Sequence, residues 1–150
     1  MKALIICISV HQGNTEKVAR AMTEVLDAEL LKTDEVDINA LKEYDLIGFG
    51  SGIYFFRHHK ALLNLLARVP IMENKKVFIF STRGIGPVGF YHRALRKRLL
   101  KKGADIVGEF SCRGFNSYGP YRLIGGMNKG RPGEEDLENA RNFARGLKVE

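Results

Sequence analysis

The sequence predicts one α/β domain spanning residues 1–150, a three-layer sandwich whose five-stranded parallel sheet, of order 2-1-3-4-5, carries helices on both faces. Three observations carry that prediction. Short, nearly continuous apolar runs recur along the chain, as expected of strands covered on both sides. Between them lie stretches with apolar residues three and four apart, the mark of a helix with one inward face. The second run is short and partly polar, which suits a sheet edge and leaves the first and third runs as neighbours. A chain of 150 residues is long enough to bury one substantial core.

Taken in order, Ala3-Leu4-Ile5-Ile6-Cys7-Ile8 is the first strand, and Val18, Ala19, Met22, Val25 and Leu26 mark the first helix. Ala28 to Thr33 reads as the edge strand. A polar connection through Asp37 and Asn39 leads to the third strand, Asp45 to Gly50, whose glycines allow close approach of a neighbour. Ser51 to His59 reads as a loop. It precedes a helix with Leu62, Leu65, Leu66 and Val69 on one face, ended by Pro70. Lys76 to Thr82 is the fourth strand; a glycine-rich turn then opens a basic helix with Leu95, Leu99 and Leu100 inward and Gly103 as its stop. Ala104 to Phe110 is the fifth strand. The last helix starts after Pro132-Gly133 with Glu134, Glu135 and Asp136 in its first turn, where acids suit the dipole, and buries Leu137, Ala140, Phe143, Ala144 and Leu147.

With 45% hydrophobic and 27% charged residues the chain has the balance of a soluble globular protein, and no apolar run reaches the length of a membrane span. Its apolar start is too short for a secretory signal and gives way at once to polar residues, so the expected location is the cytoplasm. Cys7 and Cys112 make neither a disulfide framework nor a metal site, and suit small core positions in a reducing compartment. Much of the net charge of +7 sits in His92 to Lys102. A solvated helix face explains such a run, and docking of an acidic protein is the functional alternative. Nucleic acid is disfavoured, because no aromatic side chains interleave with the cations.

The chemistry concentrates in the bend Ser9-Val10-His11-Gln12-Gly13-Asn14-Thr15, which joins the first strand to the first helix. Helix N-termini leave amide groups without helical partners and carry about half a positive charge, so such a bend is suited to an anion. Gly13 lets the backbone come close, while Ser9, His11, Gln12, Asn14 and Thr15 bring side-chain donors to a volume of one phosphate. The same residue types also cap a helix without any ligand. A nucleoside triphosphate loop is excluded by the lack of a Gly-Lys-Ser/Thr ending. A second glycine pattern, Gly84-Ile-Gly-Pro-Val-Gly89 with Glu109 beyond it, matches dinucleotide spacing and is a rival site for a nicotinamide cofactor. In Gly52-Ile53-Tyr54-Phe55-Phe56 aromatic walls and backbone donors fall in one loop, the setting a flat ring needs. His58 and His59 read as polar residues at a helix start.

A strand running into a Gly-Asn-Thr loop, an aromatic loop after strand three and five β/α units together resemble the flavodoxin family, over essentially the whole chain. The resemblance implies FMN. It implies that Ser9, His11, Gln12, Gly13, Asn14 and Thr15 hold the monophosphate, that Gly52, Ile53, Tyr54 and Phe55 flank the isoalloxazine, and that Ser81, Thr82, Arg83 and Gly84 lie along its pyrimidine edge. It also implies electron transfer between protein partners. The second reading is an FMN-dependent oxidoreductase of quinones or another small substrate, with NAD(P)H as donor. Typical flavodoxins are acidic where this chain is basic, so its redox partners are expected to carry acidic patches. Tyr54 is followed by Phe55, where the family commonly has a glycine that bonds the flavin. Ser111 to Gly133, with Phe115, Tyr118, Tyr121 and six glycines, is expected to close over the ligand's far side or to make a homo-oligomer contact.

Overall fold

In the computed structural model, residues 1–9, 13–54, 56–84, 86–114 and 130–147 are described. The elements are β1 (Ala3–Ile8), α1 (Asn14–Leu26), β2 (Glu29–Leu31), β3 (Leu46–Tyr54), β4 (Arg57–His58), α2 (Lys60–Arg68), β5 (Lys76–Arg83), α3 (Val88–Lys101), β6 (Asp105–Arg113) and α4 (Glu134–Leu147). Two 3-10 turns, Thr33–Glu35 and Ile38–Glu43, fill the polar connection between β2 and β3. Strands pair in the order β2-β1-β3-β5-β6, all parallel. Counting those parallel strands in chain order, this is the predicted 2-1-3-4-5. The short β4 turns back antiparallel on the end of β3.

Side-chain alternation along each strand divides the core into two layers. Leu4, Ile6, Ile47, Phe49, Val77 and Ile79 face α2 and α3, meeting Leu62, Leu66, Leu95 and Leu99. Ala3, Ile5, Cys7, Phe78 and Phe80 face α1 and α4, meeting Val18, Met22, Ala140 and Ala144. Each fully buried Leu, Ile or Phe contributes about 1.5–3 kcal/mol. The close approach expected at the glycines of β3 is made by rings. A Cβ on Gly48 would lie 2.2 Å from the Phe78 ring, and one on Gly50 would lie 2.3 Å from the Phe80 ring. Without side chains at 48 and 50, these two phenylalanines lie across the central strand and fill the α1/α4 layer.

Three expectations are corrected. β3 does not end at Gly50: Ser51 and Gly52 continue the ladder beside Ser81 and Thr82, and Ile53 and Tyr54 pair with His58 and Arg57. Polar and glycine residues read locally as a loop, but pairing on both sides carries the strand on. Leu100 is 55% exposed. The inward stripe of α3 runs through Tyr91, His92, Leu95 and Leu99, and Leu100 lies one residue, about 100°, round the helix from it. β6 likewise runs past Phe110 to Arg113. Among the described residues, no helix is long and apolar enough to cross a membrane. Both cysteines are buried and free, and burial pushes each thiol up to about 12, which leaves them unreactive core residues.

Candidate functional site at the carboxyl edge of the sheet

The sheet ladder sets the ends of four strands side by side. Ile8 pairs with Ser51, Ser51 with Ser81 and Ser81 with Ser111, while Gly52 pairs with Thr82. The ends of β1, β3 and β5 therefore meet at one edge, the carboxyl edge of the sheet where doubly wound folds bind ligands.

Gly13 is the N-cap of α1 and adopts the left-handed conformation, φ 69°. Glycine takes that conformation without a side-chain penalty. It gives α1 no capping side chain, and the Ser9 hydroxyl instead accepts from the Glu16 amide at 3.3 Å. Thr15 is buried, with its hydroxyl 2.7 Å from that of Thr82. This bond ties the start of α1 to the end of β5. Asn14 lies against Gly114, where a Cβ would come within 2.7 Å of the Asn14 Nδ2. His11 and Gln12, named for the same bend, lie outside the described residues, as do Phe55 and residues 115–129 of the long segment.

In the hairpin, the Ser51 hydroxyl is buried. It donates to the Gly52 carbonyl at 2.6 Å and accepts from the His59 amide at 2.9 Å. Tyr54 is half-buried, edge-on to the His59 ring at 5.2 Å. Its hydroxyl would stand 3.0 Å from a Cβ on Gly52, so the ring lies over a position kept bare. His59 caps α2 by accepting from the Ala61 amide at 3.0 Å, the helix-start role expected for it.

The turn after β5 presents less side chain than expected. The Ser81 side chain points into the α3 layer and Thr82 points towards Thr15, so both hydroxyls are committed inside the protein. The backbone of residues 81–84 and the guanidinium of Arg83 remain to meet a ligand. Arg83 Nη1 donates to the Gly84 carbonyl at 3.3 Å, whereas its buried Nε has no hydrogen-bond partner among the described residues. Burial, and then neighbouring Arg113, lower its pKa from the usual arginine value. A buried donor without an acceptor costs about 1–3 kcal/mol.

A buried polar chain behind the edge was missed in the sequence. His92 Nδ1 lies 2.9 Å from Glu109 Oε1, and its Nε2 lies 2.7 Å from Ser81 Oγ. Because the carboxylate can only accept, Nδ1 carries the proton, Nε2 accepts from Ser81, and Ser81 accepts from Ser111 at 2.8 Å. Arg96 grips both oxygens of Glu109 at 2.7 Å. Both oxygens of Glu109 are thus held by Arg96 and His92, so the acid of the rival dinucleotide pattern serves a structural pair rather than standing free for a ribose. His58, expected as a polar residue at a helix start, is instead buried in β4, 1% exposed; it donates through Nε2 to the Phe80 carbonyl at 2.9 Å, and its buried Nδ1 has no partner among the described residues. The one sequence signal for this chain is His92 standing on the same helical stripe as Leu95 and Leu99.

A family model described as a flavodoxin domain matches residues 5–118. The chain belongs to the flavodoxin family. This flavodoxin-family chain is 45% identical over 148 residues to the uncharacterized protein MJ0298 of Methanocaldococcus jannaschii, covering 98% of both. Its fold is similar to that of flavodoxin 1 from Bacillus cereus, with TM-score 0.73 and 18% identity over 100% of this chain and 99% of that one. It is also similar to part of the rubredoxin oxygen:oxidoreductase of Desulfovibrio gigas, with TM-score 0.73 and 18% identity. That match covers 98% of this chain but 36% of the larger one. The same fold therefore occurs both in a chain of this length and as part of a longer one.

Proposed function

We propose that this chain binds FMN and carries electrons between protein partners in the cytoplasm. The observation that carries the reading is the Thr15–Thr82 bond at 2.7 Å. It fixes the left-handed Gly13 bend beside the ends of β3 and β5, so a terminal phosphate at the bend and a flat ring against Gly52 and Tyr54 can belong to one ligand. Bound FMN supplies the redox chemistry.

The residues divide the remaining work. The first amides of α1, that of Thr15 among them, hold the phosphate together with Ser9, His11, Gln12 and Asn14, and Gly13 gives it access. Gly52, Ile53, Tyr54 and Phe55 flank the ring and exclude water from one side. The backbone of Ser81, Thr82 and Gly84, with Arg83, meets its polar edge. Arg83 brings positive charge and an unspent donor. Incubation with FMN followed by desalting is expected to leave a yellow protein at one flavin per chain; a colourless protein would count against the reading.

One observation favours the second reading, an FMN-dependent oxidoreductase of quinones or another small substrate. Quinone reduction consumes protons as well as electrons, and the Ser111–Ser81–His92–Glu109 chain is a hydrogen-bonded path ending at the same sheet edge. Rapid reduction by NADH or NADPH alone would favour the enzyme. Reduction only after a reductase protein is added would favour the carrier.

A further inference from the structure

We propose that the groove between the β3–β4 hairpin and α3 is the docking surface for an acidic electron-transfer protein. The groove, of about 720 Å³, is lined by Phe56, Arg57, Phe90, Arg93, Lys97 and Lys101, among others, and none of the described residues that line it is acidic. The inference rests on the carrier reading for its purpose, although not for the binding itself.

Several features of the surface make poor sense for an isolated chain. Phe56 and Phe90 are 66% and 55% exposed. Phe56 also sits at φ 68°, a left-handed conformation that bulky side chains rarely adopt. The hairpin thus holds a large apolar ring in water at the expense of backbone strain. Arg93, Lys97 and Lys101 repeat every four residues, so like charges are neighbours along about 12 Å of α3, an arrangement that destabilises a helix. Among the described residues, no carboxylate pairs with these three or with Arg57. Exposed aromatic rings beside unpaired cations are the make-up of an interface centre waiting for carboxylates.

The occupant follows from the charges and the rings. A second copy would bring the same cations against these, and the net charge of +7 opposes that pairing. A nucleic-acid base or a nucleotide ring would need open aromatic faces. Here Phe56 leans on Tyr91 at 6.3 Å and on Phe90 edge-to-face at 6.4 Å, so the rings form one clustered knob rather than the separate platforms on which successive bases stack. A protein surface with carboxylates around an apolar knob fits both the cations and the exposed ring edges. The hairpin that offers Phe56 and Arg57 to this groove also carries Tyr54 at the candidate site, so a partner seated here would stand beside the proposed flavin.

The test uses a plant-type [2Fe–2S] ferredoxin as acidic probe, the same ferredoxin with its carboxylates amidated, and a short mixed-sequence single-stranded DNA. Each is titrated by fluorescence anisotropy against the wild-type protein, Lys97→Glu/Lys101→Glu, Phe90→Ser and the charge-matched control Lys32→Glu/Lys42→Glu. The expected result is loss of about tenfold or more in ferredoxin affinity for both groove variants and less than about twofold for the control, with weaker binding as salt rises. Equal loss in the control, equal binding of the amidated probe, or tighter groove-dependent binding of the DNA would each overturn the proposal. FMN retention, read by absorbance on every variant, separates the two readings. Groove-dependent docking by a protein that retains no flavin removes the carrier reading alone, and flavin retention without groove dependence removes the docking surface alone.

Discussion

Ser81 Oγ lies 2.7 Å from His92 Nε2, and neither side chain reaches solvent. That bond, with Glu109 on the far side of the imidazole, fixes the proton of His92 on Nδ1 and holds the end of β5 against α3. Burial lowers the His92 pKa, against the opposing pull of Glu109. In the neighbouring His58, burial first and His92 second push the pKa down to about 3.

The pair gives folding a pH dependence of definite sign. Unfolded, each histidine takes up its proton near pH 6.5, well above where His58 does so when folded, so the unfolded state binds more protons in between. Their stabilisation is complete above about pH 6.5 and is lost progressively as pH falls below it. Glu109, which burial pushes up but Arg96 and His92 hold below the usual carboxylate value, stays ionised between about pH 7.5 and about pH 5. At about pH 5 His58 alone is expected to cost about 2 kcal/mol relative to about pH 7.5. Urea midpoints at the two pH values check it. The midpoint should fall on acidification and fall less in His58→Gln; identical midpoints would contradict the burial argument.

Gly48 and Gly50 carry a packing prediction. Gly48→Ala would force a Cβ into the Phe78 ring and should destabilise by at least about 1–3 kcal/mol, the usual range for overpacking. Adding Phe78→Leu should recover part of that loss, as a double-mutant cycle by denaturant unfolding would show. Independent, additive losses would mean that the ring does not occupy the glycine's space.

At the bend, Gly13→Ala places a side chain at φ 69°, costing about 1 kcal/mol in backbone strain. Thr82→Val removes a buried hydrogen-bond partner of Thr15, worth about 1 kcal/mol. Both should weaken FMN binding by about tenfold while leaving the far-UV spectrum unchanged. Isothermal titration of each variant measures this, and wild-type affinity in both would separate the bend from the ligand.

Arg83 bears on the potential. Replacing it with Gln removes a positive charge from the edge where the reduced, more negative cofactor would sit. The midpoint potential should fall, on the order of tens of millivolts. Redox titration of the FMN-loaded variant is the measurement, and a potential unchanged or raised would place Arg83 away from the ring.

Strand order and core were legible because β1 and β5 are apolar enough to be buried on both faces, and because β2 is too short and polar for anywhere but an edge. The ends of β3 and β6 were not. Ser51, Gly52 and Ser111 have weak strand preference, and pairing with β5, and for Ser51 also with β1, makes them strand. Leu100 was misplaced by reading apolarity without helical phase. The bend was legible from its glycine and its hydroxyls, but the inward commitment of Ser81 and Thr82 depends on which face of β5 each side chain takes beside α1 and α3. His92 shows the same limit: a histidine on an apolar stripe signals burial, while its partners Ser81 and Glu109 come from two other elements.

The account depends most on the bend gripping a terminal phosphate. Fluorescence-quenching titrations of the purified protein with FMN and with riboflavin, its dephosphorylated form, test that directly. Saturable FMN binding at one per chain is expected, with riboflavin weaker by about a hundredfold or more. Riboflavin bound as tightly as FMN, or no quenching by either, would contradict it.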